Sequence, residues 1–298
     1  MASMPVERGK IREYALATAN ARPEFLEDPA APIPPTFLST VVFWESLLDV
    51  LDEPAAVEAF REVGVSPDVS RLLSVEQEYV FHGVLPRAGE TLTTALRFDG
   101  VQRKIGRAGG AMLFVRFAVE FSSGSGDLRA ECLYTSAYRV DPLGDGMAMS
   151  APTPAAVADS TPAVLHELPS RRFGPITMTD IVRYQGASGD LNPMHHDDEL
   201  ARSAGYPAAF SVGMLSAGYL ATFCTDTLGT ESVRRFRTRF KELVWRGDAL
   251  TACGRIVRTV ENSVEPRVGV DLRLLNGSGT AVVEGYAEFI CEPTDGAA

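Results

Sequence analysis

The most constraining feature of this sequence is that it describes one structural unit twice. Residues 11–20 and 181–190 align with isoleucine, tyrosine and alanine at equal spacing, and GETLT at 89–93 corresponds to GDALT at 247–251. In each copy a helical stretch precedes short segments rich in β-branched and aromatic residues, with Gly and Ser between them. The repeat predicts two similar halves, each made of helices followed by a meander of strands.

The boundaries of the two halves follow from composition. The predicted strands of the first half lie at 76–81, 89–98, 111–121 and 128–138, and those of the second at 235–244, from 247 onward, at 267–275 and at 280–290. Residues 141–169 are rich in Pro, Ala and Ser, which is typical of a linker. We therefore predict an α+β fold with domains at 1–140 and 171–298, joined by a linker at 141–170. The Gly-rich stretch 106–110 lacks the Lys-Ser/Thr of a phosphate loop and is interpreted as a turn.

Composition limits the class of partner. The chain has 298 residues and a net charge of −11, which argues against nucleic acid and anionic membranes. No apolar stretch of about 18 residues and no signal sequence are evident, so we expect a soluble, cytoplasmic protein with no membrane span. The four cysteines form no C-x-x-C motif, which favours reduced thiols over a disulfide framework or a zinc site.

The chemistry concentrates between Ser188 and His195. Thr177 and Thr179 are suitable N-caps for a helix beginning near Asp180, and Gly189 is a suitable C-terminal stop. A second, shorter helix should begin at once, with Asn192 as N-cap and Pro193 in its first position. Asp190 and His195 then lie on either side of a corner, where they can converge on one water molecule.

A buried helix follows this corner. Residues 210–223 are apolar around nearly the whole circumference of a helix. Gly213 and Met214 stand at its start, where free N–H groups can polarise a carbonyl oxygen, although close packing alone also explains the glycine. Ser211 and Ser216 are polar side chains near that end.

The first copy lacks the acid-base residues of the second. Asn20, Arg22 and Phe25 stand where the second copy has Asp190, Asn192 and His195. Neither Asn nor Phe exchanges a proton near neutral pH, so only the second half can act by acid-base chemistry. Residues 40–44 predict a second, largely apolar helix in the first half.

Two other clusters of polar residues could form a binding site. His195, His196, Asp197 and Asp198 are adjacent, but neighbouring helical side chains point about 100° apart, so the cluster does not favour a metal site. A predicted strand alternates basic and apolar side chains, its basic residues being Arg235, Arg237, Arg239 and Lys241. These cations either guard an exposed sheet edge or, at Arg237 and Arg239, contact the phosphates of a coenzyme A or phosphopantetheine group.

The stretch from Ile181 to Leu220, with its S-G-D-x-N-P-x-H core and later G-M-L, resembles the signature of the MaoC-like, (R)-specific enoyl-CoA hydratases. The resemblance implies a hotdog fold, in which an antiparallel sheet wraps a long central helix, and the repeat makes the chain similar to a double hotdog with a non-catalytic first half. It also implies a role for four residues: Asp190 as the catalytic carboxylate, His195 as its partner on the water, Asn192 in support and the Gly213 N–H as donor to the thioester carbonyl. The family usually has His before that glycine, whereas this chain has Val212.

The resemblance implies a hydratase or dehydratase acting on an acyl-CoA or acyl-carrier-protein thioester, with no metal or other cofactor. Ser211 and Met214 are expected near the substrate, and Phe25 and Trp44 of the first half are expected to line the acyl tunnel. A homodimer of such chains is compatible with this expectation. Two alternatives stay open from the sequence, namely a thioesterase on the same fold and a non-catalytic acyl-thioester-binding protein.

Overall fold

The computed structural model describes residues 2–65, 73–105, 111–139, 164–260 and 265–291. The strands of the first half are β1 (Ser3–Pro5), β2 (Leu73–Phe81), β3 (Thr91–Ile105), β4 (Ala111–Ser122) and β5 (Leu128–Arg139). Those of the second are β6 (His166–Phe173), β7 (Val233–Phe240), β8 (Leu250–Val260), β9 (Arg267–Leu275) and β10 (Ala281–Ile290). The α-helices are α1 (Arg8–Ala17), α2 (Pro23–Leu26), α3 (Pro54–Glu62), α4 (Met178–Ser188), α5 (Asp198–Ser203) and α6 (Gly213–Leu228).

The strands form one ten-stranded sheet in the order β1-β3-β4-β5-β2-β7-β10-β9-β8-β6, with every neighbouring pair antiparallel. Read inward from either edge, equivalent strands follow in the same order, so the repeat is confirmed. The halves join where β2 pairs with β7, with Glu78 opposite Arg237.

Matching details outside the sheet support the repeat. The side chain of Glu90 accepts a hydrogen bond from Arg87 N, and Asp248 accepts one from Trp245 N, both at 2.9 Å. The hydroxyl groups of Tyr14 and Tyr184, which the sequence repeat aligns, lie 3.1 Å apart. Equivalent residues therefore face one another where α1 packs against α4.

The central element of the second half is α6, which confirms the predicted buried helix. It packs against all five strands of that half, β6 to β10, and twelve of its residues, from Met214 to Thr225, are buried. Because the helix is apolar on every side, it is stable only when it is covered on every side.

The first half differs at the equivalent position. Instead of one long helix, the segment forms two 3₁₀ helices, Phe37–Phe43 and Leu47–Asp52, followed by α3. The predicted helix at 40–44 is therefore part of a 3₁₀ helix. β-Branched and aromatic residues dominate residues 40–44, and such residues have lower helix propensity than the Ala, Leu and Met that occur in α6.

The predicted linker at 141–170 and the predicted turn at 106–110 lie wholly or partly outside the described residues. β6 begins at His166 and pairs with β8, so the predicted linker is too long at its C-terminal end. Residues 140–163 and the Gly-rich stretch 106–110 lie outside the described residues. Within the described ranges, no helix combines the length and apolar character needed to cross a membrane.

Candidate active site

The corner carrying Asp190 begins where α4 ends. Thr177 caps the helix through a capping box, in which its side chain accepts a bond from Asp180 N at 3.2 Å and Asp180 accepts one from Thr177 N at 2.9 Å. Gly189 ends the helix with φ of 81°, and a Cβ there would lie 2.7 Å from Cγ2 of Val42. Both the backbone and the first half of the chain therefore require glycine at this position.

The return from the corner is a short 3₁₀ helix, Pro193–His195. Asn192 is its N-cap, since its Oδ1 accepts a hydrogen bond from Met194 N at 3.0 Å. The predicted capping role of Asn192 is therefore seen directly, and the second helix is shorter than an α-helix.

His195 is fixed through a carbonyl group. Its Nδ1 lies 3.0 Å from Phe210 O, and a carbonyl oxygen can only accept, so Nδ1 carries the hydrogen. In the neutral ring Nε2 is then an acceptor, and it lies 3.9 Å from Oδ2 of Asp190. The corner thus places two acceptor atoms opposite each other at a distance that one water molecule can bridge.

Burial lowers the pKa of His195, while the charge of Asp190 and the bond to Phe210 oppose this shift without reversing it. The imidazole is therefore neutral near pH 7. The His195 side chain is only 10% exposed, whereas that of Asp190 is 40% exposed. Solvent can thus reach the carboxylate, whereas the imidazole beside it is shielded from solvent.

The hydrogen bond from His195 Nδ1 to Phe210 O connects the corner to the start of α6, because Phe210 lies three residues before Gly213. The N-cap of α6, Val212, provides no side-chain cap, which leaves the first N–H groups of the helix free to donate. A Cβ on Gly213 would lie 3.3 Å from the ring of Phe240, so close packing also favours glycine here. Val212, where the family usually has His, is 2% exposed and belongs to the core.

The two predicted substrate contacts beside Gly213 are buried. Ser211 is 4% exposed, and its Oγ has no hydrogen-bond partner in the part of the chain that the structure describes. Met214 is 8% exposed and packs in the core. An unpaired hydroxyl next to a helix N-terminus is a ready donor for an added oxygen atom.

The equivalent corner of the first half lacks the corresponding polar groups. Ile33 N donates to Pro86 O, and Ser211 N donates to Val244 O in the same way, so Ile33 and Ser211 are equivalent. Counting two residues on from each, Pro35 stands at the position of Gly213. Proline has no N–H. The first half therefore lacks the backbone donor as well as the carboxylate and the imidazole. A sequence comparison limited to Asn20 and Phe25 reveals the loss of the two side chains but not that of the backbone donor.

The structure places Phe25 in the core, and its expected position along an acyl tunnel stays a prediction. It is fully buried, and its ring lies 5.4 Å from the guanidinium of Arg22, which donates to Thr225 O near the C-terminal end of α6. A helix of this length spans roughly 24 Å, so this end is far from Gly213. Phe25 thus packs in the core, away from the corner.

The first half reaches the corner through other residues. Val42 and Phe43 are 40% and 45% exposed, and both lie against Gly189. Trp44 is half-buried and contacts Phe43 edge to face at 5.8 Å. The sequence indicated this segment through Trp44 but missed its two neighbours, whose exposed apolar side chains border the corner.

The basic strand, β7, lies inside the sheet, and its arginines pair with carboxylates. β7 pairs with β2 on one side and β10 on the other, so the interpretation as a guarded edge is wrong. Arg237 and Arg239 both donate to Glu76, at 2.8 Å and 3.1 Å, and Arg235 pairs with Glu78. These cations are neutralised across the junction of the two halves, which does not favour the phosphate contact expected of them.

The polar residues after His195 point to separate partners. His196 Nδ1 lies 2.9 Å from Oε1 of Gln185, and Asp197 caps α5. Asp198 pairs with Arg246 and accepts a bond from Ala209 N. In the described ranges no three such side chains converge on one point. Gln185 itself is a buried polar residue that the sequence analysis missed, although Gln on the apolar face of α4 was a visible signal.

The chain is similar to two protein-family models and to several solved structures. Residues 164–272 match the model of the MaoC like domain, and residues 2–130 match that of the FAS1-like dehydratase domain region. No curated protein matches. A solved MaoC-like dehydratase is 20% identical over 98% of this chain and 96% of its own, with a TM-score of 0.73.

Two further solved structures are similar over nearly their whole lengths. A MaoC-like dehydratase from Phytophthora capsici is 18% identical, with a TM-score of 0.68 over 97% of this chain and 95% of its own. A Mycobacterium tuberculosis protein described as having a double hotdog fold is 14% identical, with a TM-score of 0.63 over 97% and 93%. These likenesses establish the fold.

The fold therefore defines a double hotdog protein, and its second half holds a carboxylate and an imidazole 3.9 Å apart. The two family models make the description more specific: residues 164–272 match a MaoC like domain, and residues 2–130 of the first half match a FAS1-like dehydratase domain region. Both models describe dehydratases, which are hydro-lyases.

Proposed function

We propose that this chain catalyses the reversible hydration of a 2-enoyl thioester to a (R)-3-hydroxyacyl thioester. The observation that carries the proposal is the pair of facing acceptors, Asp190 Oδ2 and His195 Nε2, 3.9 Å apart. A water molecule between them donates one hydrogen to each. Its lone pair is then directed outward, toward the electrophilic carbon of a bound substrate.

The reaction proceeds by proton transfer through this pair. As the water oxygen bonds to the β-carbon, Asp190 accepts one proton as general base and His195 keeps the oxygen oriented through the other. The electrons of the double bond move toward the thioester, and the pair returns a proton to the α-carbon. The net addition is one hydrogen and one hydroxyl, and elimination is the same path reversed.

The negative charge that develops on the thioester oxygen requires a donor. The Gly213 N–H stands at the positive end of α6 and can donate to that oxygen, with the unpaired Ser211 hydroxyl as a second candidate. No electrons leave the substrate, so the reaction requires no nicotinamide or flavin, and we infer no metal. Coenzyme A or phosphopantetheine enters only as the thiol part of the substrate.

The first half contributes a wall to the substrate site. Val42 and Phe43 expose apolar surface beside Gly189, and Trp44 packs behind Phe43. An acyl chain bound at the corner would cover this surface. Burial of an apolar side chain stabilises by roughly 1.5–3 kcal/mol, so we expect the first half to influence acyl preference more than the chemical step.

The proposal is tested by following the loss of the enoyl thioester absorbance across a series of trans-2-enoyl-CoA chain lengths. Hydration in deuterated water, followed by analysis of proton coupling, should show syn addition, because one water and both protons are held on one side of the substrate. Chiral chromatography should give the (R) product, which the similarity to the MaoC-like hydratases implies. An (S) product or anti addition would require other roles for Asp190 and His195. Release of free thiol from a saturated acyl-CoA, without hydration, would instead identify a thioesterase.

A further inference from the structure

Gln185 lies directly beneath the turn that carries the proposed base. It is on the buried face of α4, one helical turn before Gly189, and is 3% exposed. Burying a carboxamide is unfavourable unless its donors and acceptor are paired. The partners of this amide therefore indicate what it does.

The hydrogen-bonding pattern fixes the orientation of the amide. Nε2 lies 2.8 Å from Asp190 O and 3.0 Å from Asn192 O. Carbonyl oxygens can only accept, so Nε2 donates both of its hydrogens to the turn. Oε1 then faces Nδ1 of His196 at 2.9 Å, and that nitrogen must carry a hydrogen. Gln185 thus binds the backbone on both sides of Leu191 and also the residue after His195.

The carboxylate of Asp190 has little else to hold it. Asn192 N donates to its Oδ1 at a long 3.3 Å, and the side chain is 40% exposed. Its distance from His195 is therefore set mainly by the backbone of the turn. The repeat aligns Gln185 with the fully buried Ala15, so the inactive corner of the first half lacks this amide as well.

We propose that Gln185 is a positioning residue, which holds the turn so that Asp190 and His195 stay at the separation that one water can bridge. This inference rests on the proposed hydration. Without the two donated hydrogen bonds the turn moves away from His195, and an error of about 1 Å can cost roughly 10²-fold in rate. Substrate binding, which depends on the start of α6 and on the first half, should change little.

The test compares Gln185→Met with Gln77→Met in the full-length enzyme. Gln77 is a matched control, because it is 2% exposed and its Nε2 donates to Tyr79 Oη on β2 and Cys132 Sγ on β5 rather than to the turn. Both variants lose buried hydrogen bonds and should melt at lower temperature. At a temperature where both are folded, we expect Gln185→Met to lower kcat about 10²-fold with KM within about twofold, and Gln77→Met to keep wild-type kcat.

A second measurement is independent of activity. Nitrogen-15 NMR of the neutral imidazole of His196, assigned with a His196→Gln variant, should show the Nδ1–H tautomer in the wild type and its loss in Gln185→Met. An Nε2–H tautomer in the wild type, a kcat for Gln185→Met within about threefold of wild type, or an effect on KM alone would overturn the inference. A wild type that hydrates no enoyl thioester would overturn the proposed function, while the tautomer would still report whether the hydrogen bond exists.

Discussion

His195 shows how a single hydrogen bond selects a chemical role. The Phe210 carbonyl holds the hydrogen on Nδ1, and burial keeps the ring neutral, so Nε2 is left as an acceptor facing Asp190. A charged imidazole would donate from both nitrogens and could not accept a hydrogen from water. The protonation state of this ring therefore decides whether the corner can hold water as proposed.

This reasoning predicts the pH dependence of catalysis. Because the pKa of His195 lies below the ordinary value of 6.5, kcat/KM should stay level through neutral pH and fall only below pH 6.5, as Nε2 gains a proton. The measurement is the pH profile of kcat/KM for the wild type and His195→Gln. An acid limb above pH 6.5, or one unchanged in form by His195→Gln, would contradict the assignment.

At the same scale, the sequence predicted side chains that form a recognisable pattern. The sequence indicates Asp190, Asn192 and His195 because turn-forming residues surround them, and their catalytic roles stay a prediction. Gln185, Val42 and Phe43 were missed because their roles depend on contacts across the turn or between the halves, which spacing along the chain does not record. The pairing of Arg237 and Arg239 with Glu76 was not predictable for a related reason, since Glu76 lies on a strand of the other half.

The end of α4 is the element on which the corner depends. Gly189 combines a positive φ with close contact to Val42, whereas Gly186, in the last turn of the same helix, has no atom within 4 Å of an added Cβ. We expect Gly189→Ala to destabilise the chain by about 2 kcal/mol or more and to lower kcat. We expect Gly186→Ala to stabilise it by roughly 0.5–1 kcal/mol, since Ala is the better helix former.

Thermal or urea unfolding of both variants, together with their kcat values, checks this prediction. If Gly189→Ala were as stable and as active as Gly186→Ala, the backbone at the corner would not be constrained as described.

Element types were predictable where local signals agreed. The caps at Thr177 and Asn192 and the stop at Gly189 each satisfy one end of a helix, and the structure shows all three. The segment at 37–52 was not predictable in the same way. Its apolar content suits a helix and its β-branched and aromatic residues do not, so the local signals disagree where the structure shows two 3₁₀ helices.

The two halves of the molecule meet at the β2–β7 junction, where Glu76 accepts hydrogen bonds from Arg237 and Arg239. Burial alone would raise the pKa of Glu76, but these two arginines outweigh burial and lower it. A carboxyl group whose pKa is lower in the folded chain stabilises the fold at pH values above its pKa in the unfolded chain. The stabilisation is lost as the pH falls through the lowered value.

We therefore expect Glu76→Gln to reduce the free energy of unfolding by about 1–2 kcal/mol at neutral pH, and the difference from wild type to shrink below about pH 4.5. Glu284→Gln is the control, because Glu284 is 44% exposed and lies 3.5 Å from Lys241. That change should stay within about 0.5 kcal/mol. Urea unfolding at several pH values tests both. Equal effects of the two variants would show that the junction does not depend on Glu76.

The architecture of the whole molecule was the most predictable level. The repeat required two similar halves, and the order of strands read inward from either edge confirms it. That the halves share one continuous sheet could not be read from the repeat, because pairing between β2 and β7 depends on side chains distant in sequence.

The central claim is that one half of the repeat carries the chemistry and the other supports it. The most direct test is to measure kcat for enoyl thioester hydration and the melting temperature of Asp190→Asn and Asn20→Ala. We expect Asp190→Asn to lose about 10³-fold or more in kcat with an unchanged melting temperature, since it removes the base. Asn20→Ala should keep kcat within about twofold, even if it melts earlier. Equal losses of kcat in two variants of unchanged stability would contradict the account.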